Sequence, residues 1–119
     1  MGDINQVQIF GRIGADPEIR TTQSSRQVAS FSVATDTGWY DKEKGAWHEN
    51  TQWHRVVTFQ PGLIGVLKDK AKKGVRVIVT GEINYRNWRK DGETSDRQQA
   101  EIVVGSDGKI NFIDRETAD

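Results

Sequence analysis

Cysteine is absent from the chain, which excludes disulfide staples and every thiolate-based zinc or iron–sulfur site and suits a reducing compartment or one where thiols are not needed. Histidine is scarce. His48 and His54 form no serine–histidine–aspartate arrangement and, with Glu49, match no metal-ligand spacing, and no Gly-x-x-x-x-Gly-Lys-Ser/Thr phosphate loop occurs. An enzyme is therefore not expected, and no cofactor or metal is implied. No apolar run is long enough to span a membrane, and no secretory or transit segment is present, so either none is needed or one has been removed. Net charge is lacking too, because 17 basic residues balance 17 acidic ones. A neutral sum argues against a nucleic-acid partner, but distribution decides more, since charges beyond a Debye length of about 8 Å are largely screened. From Lys68 to Lys90 eight cations stand against two anions, while acids gather at Asp107, Asp114, Glu116 and Asp119. Those lysines also fit a solvated helix face.

Tryptophan is what the chain does have. Trp39, Trp47, Trp53 and Trp88 each sit among polar or small neighbours and none lies in an aliphatic run. A lone strand tryptophan is more often core than contact, but four in polar surroundings favour exposed rings. The stretch Asn50 to Phe59 makes the point locally. Val56, Val57, Thr58 and Phe59 favour an extended chain, which would project Trp53, Arg55, Val57 and Phe59 to one side and His54, Val56 and Thr58 to the other. Rings spaced along a sheet with a cation among them form a surface on which bases of a single strand stack while the cation meets phosphate.

The rest of the chain reads as a small all-β domain over residues 1–113, followed by a short polar tail at 114–119. Val7 to Ile13 alternates as a first strand, Asp16 to Glu18 and Thr21 to Ser25 carry turn chemistry, and Gln27 to Thr35 is a second strand. Asp36 to Gln52 is a long polar excursion that nevertheless carries Trp39, Tyr40 and Trp47, so its rings either fold back or stand exposed. After the Trp53 strand, Pro61-Gly62 opens a short helix with Leu63, Ile64, Val66, Leu67 and Ala71 on its apolar face, ended by Lys72-Lys73-Gly74. Val75 to Glu82 is a fourth strand that runs on through Tyr85 into a hairpin. Its tip carries Asp91-Gly92, Gln98 to Val104 returns as a fifth strand, and Ile110 to Ile113 closes the domain. Five main strands with one helix between the third and fourth describe a five-stranded Greek-key barrel of the OB type. Such barrels bind through the face of strands 2 and 3 and through long loops, where Trp39, Trp53, Arg55, Phe59, Arg86 and Trp88 fall. A competing reading keeps the barrel but makes another protein the main partner, as in a replication-restart or assembly factor.

The order and spacing of several stretches resemble the bacterial and mitochondrial single-stranded DNA-binding proteins over nearly the whole chain. These are Gly11 to Arg20, Val28 to Thr35, Trp53-His54-Arg55-Val56-Val57 with Phe59, Lys72-Lys73-Gly74, and Gly81 to Trp88. The resemblance implies sequence-independent single-stranded DNA binding in replication, repair and recombination. It maps base-stacking aromatics onto Trp39, Trp53, Phe59 and Trp88, and basic contacts onto Arg55, Lys73 and Arg86. It links His54 to subunit assembly and implies a homotetramer with first strands paired across a dimer interface. Replication proteins such as a helicase or polymerase are the further partners it suggests. Phe59 to Leu63, Gly81 to Tyr85 and Ile110 to Ile113 look more like the mitochondrial branch, which implies the mitochondrial matrix or nucleoid, with bacterial cytoplasm as the alternative. This sequence stops at Asp119 without the acidic tail ending in Pro-Phe that bacterial relatives usually carry, so tail-mediated recruitment is not expected unless that tail has been removed.

Overall fold

The computed structural model describes residues 2–113, so the tail expected at 114–119 lies outside the described residues. The elements are β1 (Val7–Ile13), β2 (Glu18–Thr21), β3 (Gln27–Asp36), β4 (Trp39–Asp41), β5 (Ala46–His48), β6 (Thr51–Thr58), α1 (Pro61–Lys70), β7 (Arg76–Trp88), β8 (Arg97–Val104) and β9 (Lys109–Ile113). The five expected strands are β1, β3, β6, β7 and β8. They run in the order β1-β3-β6-β8-β7, and β7 pairs back onto β1 from Val7↔Gly81 to Arg12↔Arg76. That return closes an OB-type barrel. Every pairing in the circuit is antiparallel except β6 with β8, where Val56 meets Ile102 and Thr58 meets Val104. The 13-residue β7 takes part twice: its first half also pairs with β9, and its second half forms the long hairpin with β8.

Side-chain alternation decides what the barrel holds. Phe31 and Val33 on β3, Val56 on β6, Val77 and Val79 on β7, and Ile102 and Val104 on β8 point inward into one buried cluster. Branched residues suit these positions because they pack well on a pleated surface, and full burial of each contributes about 1.5 to 3 kcal/mol. Helix α1 adds Ile64 and Leu67 to the same cluster, with Ala71 at its C-cap. Proline at the helix start costs nothing there, since its missing N–H has no partner in the first turn. One polar group lies fully inside: Thr58 donates from Oγ1 to the Val104 carbonyl at 2.8 Å and accepts from the Gln60 amide at 3.2 Å. Thr58→Val keeps the shape and strands both partners, so we expect a loss of about 1 to 3 kcal/mol, measured as a lowered urea midpoint with an unchanged slope.

Four expectations need correction. Glu18–Thr21 is a strand rather than a plain turn approach, because it pairs with Gln27–Ser30 through a tight reversal in which Ser25 takes φ 64°. Alternation over four residues is too short to signal this without its partner. The Asp36 to Gln52 excursion is not simply a loop: β4 and β5 form a separate two-stranded ribbon. Asp36 Oδ1 clamps its base by accepting from the amides of Gly38 at 3.0 Å and Asn50 at 3.1 Å. Helix α1 ends at Lys70, short of the Lys72-Lys73-Gly74 stop, and Val66 is exposed rather than part of the apolar face. With Ile64, Leu67 and Ala71 facing the barrel, Val66 falls on the far side of a 3.6-residue turn.

Candidate nucleic-acid interface

Register places the outer face residue by residue. On β3 the outward row is Ser30, Ser32 and Ala34; opposite them on β6 stand Val57, Arg55 and Trp53. Val57 is level with Val103 of β8, and on the β8–β7 hairpin Glu101 faces Asn84, Gln99 faces Arg86, and Arg97 faces Trp88. Paired residues project to the same side. Trp53, Arg55, Arg86 and Trp88 therefore share one face of the barrel and its hairpin; the alternation of β6 predicts only that Trp53 and Arg55 lie on one side.

Trp53 is 64% exposed, yet it is not loose. Its neighbour across the strands is the small Ala34, and its ring lies against Gly14, where a Cβ would stand 2.3 Å from the indole Cζ3. Gly14 is fixed in turn by its amide, which donates to the Ser32 carbonyl at 3.0 Å. The indole rests on backbone with its other side open. In the sequence Gly14 is only part of the Gly11 to Arg20 stretch, and nothing short of the three-dimensional approach marks it as a seat. Gly14→Ala should lift the ring. We expect affinity for oligothymidine to fall about fivefold to tenfold while the melting temperature moves little, checked by fluorescence anisotropy alongside thermal melting.

Trp88 sits at the end of β7, with the Arg97 guanidinium 5.4 Å from its ring centroid. Glu93 accepts from Arg97 Nε at 2.9 Å, and that bond raises the guanidinium pKa above its ordinary value. Arg97 is a residue the sequence did not single out. Its place opposite Trp88 follows only from the hairpin register, which Gly92 helps set by taking φ 87°.

The remaining expected contacts are placed less uniformly. Arg55 is paired with Glu101, Nε to Oε2 at 3.3 Å, so a phosphate arriving there meets a cation already shared with a largely buried carboxylate. Arg86 is exposed and makes no ion pair among the described residues, which leaves its charge available. Phe59 lies one residue past the end of β6, half-buried, with the Arg26 guanidinium 4.7 Å from its centroid. Arg26 is a second cation that sequence reasoning missed. Lys73 is exposed in the turn after α1, where its amide donates to Asp16 Oδ1 at 3.4 Å and the next amide, of Gly74, donates to the Ile13 carbonyl at 2.7 Å. Those bonds bring it to the same bend as Gly14.

Trp39 stands apart from the barrel row on the β4–β5 ribbon. It is paired with His48 across the strands, and the two rings stack at 4.5 Å between centroids and 26° between planes. Tyr40 pairs with Trp47 in the next register position, so Trp39 and Trp47 project to opposite sides of the ribbon. Both tryptophans are more than half exposed. The site is thus two parts: a barrel face with Trp53, Arg55, Arg86 and Trp88, and a ribbon that presents further rings.

The chain is similar to known proteins. Residues 4–113 match the sequence profile of the single-strand binding protein family. A single-stranded DNA-binding protein of Rhizobium meliloti (strain 1021) is 38% identical over 114 residues, which cover 95% of this chain and 65% of that protein. The chain thus spans just under two-thirds of the length of that relative. A solved complex of Plasmodium falciparum SSB with ssDNA superposes with a TM-score of 0.81 at 29% identity, covering 96% of this chain and 98% of that one. With the profile running through every strand of the barrel, the chain belongs to the single-strand binding protein family.

Proposed function

We propose that this protein binds single-stranded DNA without regard to sequence, holding it for replication, repair and recombination, and that it acts by binding rather than by catalysis. The observation that carries the reading is the exposed Trp53 ring seated on Gly14, on one face with Arg55, Arg86 and Trp88. A ring backed by the protein and open on the other side offers a stacking platform, and each base stacked contributes about 1 to 3 kcal/mol. Every base has such a face, so sequence matters little. Duplex is rejected because its bases are already stacked and paired. The family membership and the ssDNA complex of the Plasmodium relative support the same reading over the protein-contact alternative. Equilibrium binding of labelled oligothymidine and of duplex, at several salt concentrations, tests it. Preference for the single strand with a log–log salt slope of about −0.7 per phosphate contacted is the expected result; equal binding of both contradicts it.

The protein works as a homo-oligomer, a tetramer by resemblance, built first through β1. Over Val7–Gly11 that strand pairs with β7 on one edge, and β3 joins the other edge only at Arg12 and Ile13. An edge left open in this way is a template for a second β1. His54, joined to Thr35 Oγ1 through Nε2 at 2.8 Å, lies on the inward side of β6 and is assigned to assembly rather than to DNA. Light scattering at about four times the chain mass supports the tetramer, and a monomer contradicts it. The stretches Phe59 to Leu63, Gly81 to Tyr85 and Ile110 to Ile113 support the mitochondrial branch, with the matrix as the place of work and replication enzymes as partners. Immunolocalisation in the source cell tests that placement, and a bacterial cytoplasmic signal contradicts it.

A further inference from the structure

We propose that His48 is a positioning residue: its imidazole backs the Trp39 indole so that the ring is held ready for a base, and it does so more firmly when charged. The inference rests on the single-stranded DNA reading, with Trp39 as a stacking ring, and adds a residue that the resemblance does not mark. Strands β4 and β5 have three residues each, and a two-stranded ribbon so short is marginal in water without further support. Its two ends are held. At the base Asp36 Oδ1 accepts from the amides of Gly38 and Asn50, and the Thr37 amide donates to the Asn50 carbonyl at 3.2 Å. At the tip Asp41 Oδ1 accepts from the amides of Glu43 at 2.9 Å and Lys44 at 3.3 Å. Both clamps act on backbone, so neither fixes an indole.

Between the clamps, one face of the ribbon carries Trp39, Asp41, Ala46 and His48, since Trp39 pairs with His48 and Asp41 with Ala46. The imidazole lies between an indole and a carboxylate. It stacks on the Trp39 ring at 4.5 Å between centroids, and its Nε2 stands 3.5 Å from Asp41 Oδ2. That nitrogen has no exposed surface and no hydrogen-bond partner among the described residues, so its contact with Asp41 has the distance of an ion pair without hydrogen-bond alignment. A bare Nε2 would aim its lone pair at a carboxylate oxygen, so the geometry calls for a hydrogen there. The Asp41 side chain is only 16% exposed, and among the described residues no other carboxylate forms an ion pair with the imidazole. The ribbon's remaining charges are Lys42, Glu43 and Lys44 at the tip, Glu49 just beyond His48, and Asp36 at the base.

Charging the imidazole strengthens both contacts. Histidine is the side chain whose charge ordinarily changes between about pH 5 and 8. A second proton, taken up on Nδ1, turns the ring into a cation between an indole face and a carboxylate, and it is attracted to both. The grip on Trp39 is therefore strongest on the acid side of this titration and weakens as pH rises through it. Trp39 is 57% exposed, so with one side backed it keeps the other open, as Trp53 does on Gly14. The two seats differ in one respect. A glycine carries no titrating group, so of these two rings only Trp39 has a seat that responds to pH.

Oligothymidine affinity of His48→Ala, His48→Phe and the unaltered protein, measured at about pH 5.5 and about pH 8, tests the assignment. His48→Ala should bind about fivefold more weakly, part of one base stack, because Trp39 loses its backing. His48→Phe keeps a ring under the indole and should restore most of the affinity at about pH 8. Phenylalanine does not titrate, so the ratio of unaltered to His48→Phe affinity should rise about twofold to fivefold on going to about pH 5.5, the range of one exposed cation–π contact. His54 is common to both proteins and cancels in the ratio. In a Trp39→Ala background neither His48 variant should have an effect. An alanine variant that binds like the unaltered protein overturns the proposal, and so does a ratio that ignores pH. A His48 effect that survives without Trp39 also overturns it, by making the imidazolium a direct phosphate contact. The ribbon lies outside the buried cluster, so melting temperatures should hold. If a variant does not fold, NMR titration of the unaltered protein decides: the Trp39 indole resonance should shift over the same pH range as the His48 imidazole, and an indole that does not follow refutes the coupling. Failure of the underlying reading looks different, since the unaltered protein would then bind no oligothymidine at either pH.

Discussion

Trp53→Ala should lower affinity for single-stranded DNA by about tenfold to a hundredfold while leaving the barrel folded. The magnitude is that of one base–indole stack, about 1 to 3 kcal/mol, at about 1.4 kcal/mol per decade. The fold is spared because the ring buries little. It is 64% exposed and rests on Gly14 and beside Ala34 rather than inside the valine-rich cluster. A core tryptophan would behave in the opposite way, losing about 3 to 5 kcal/mol of stability on truncation. Anisotropy titration and thermal melting of the same preparation therefore separate the two roles. Unchanged affinity in a folded variant removes Trp53 from the site. Trp88→Ala should act in the same direction but more weakly, because Arg97 already occupies one side of that ring and the side chain is 40% exposed.

Gly11→Val should be the most damaging single change to the fold. Gly11 lies on β1 between Phe10 and Arg12, where a Cβ would stand 2.2 Å from the Ala34 carbonyl oxygen and 3.0 Å from its carbon. Both are backbone atoms and cannot rotate away. The strands must separate, and they separate where β1 and β3 make only two paired positions. Barrel closure on that side then fails, exposing Val33 and Ile13 at the seam. A loss above about 4 kcal/mol is expected, in the range reserved for overpacking against something that does not yield. Chemical denaturation measures it, and a midpoint within experimental error of the parent contradicts the role given to this glycine. Gly62→Ala serves as the control, because no atom lies within 4 Å of a Cβ added there.

The legibility of this protein in its sequence follows the range of the interactions concerned. Strands β1, β3, β6, β7 and β8 could be read because their alternation is local and runs for seven residues or more. The outward placement of Trp53 and Arg55 could be read for the same reason. Strand β2 and the β4–β5 ribbon could not, since segments of three or four residues gain their structure from a partner rather than from their own pattern. The cations that lie over the rings were missed at Arg26 and Arg97, as was the seat at Gly14. Each is set by contact between residues far apart in sequence or by a register that a turn must first fix. Arg55 shows the limit in the other direction. Its place on the strand was legible, but its pairing with Glu101, 46 residues away, was not.

The central claim is that the exposed rings stack on unpaired bases, and intrinsic tryptophan fluorescence titrated with oligothymidine tests it most directly. Quenching that is strong with the single strand, weakened by salt and absent with duplex is the predicted result. Unquenched fluorescence at micromolar protein, with the barrel intact by circular dichroism, would contradict it and turn attention to a protein partner for the same face.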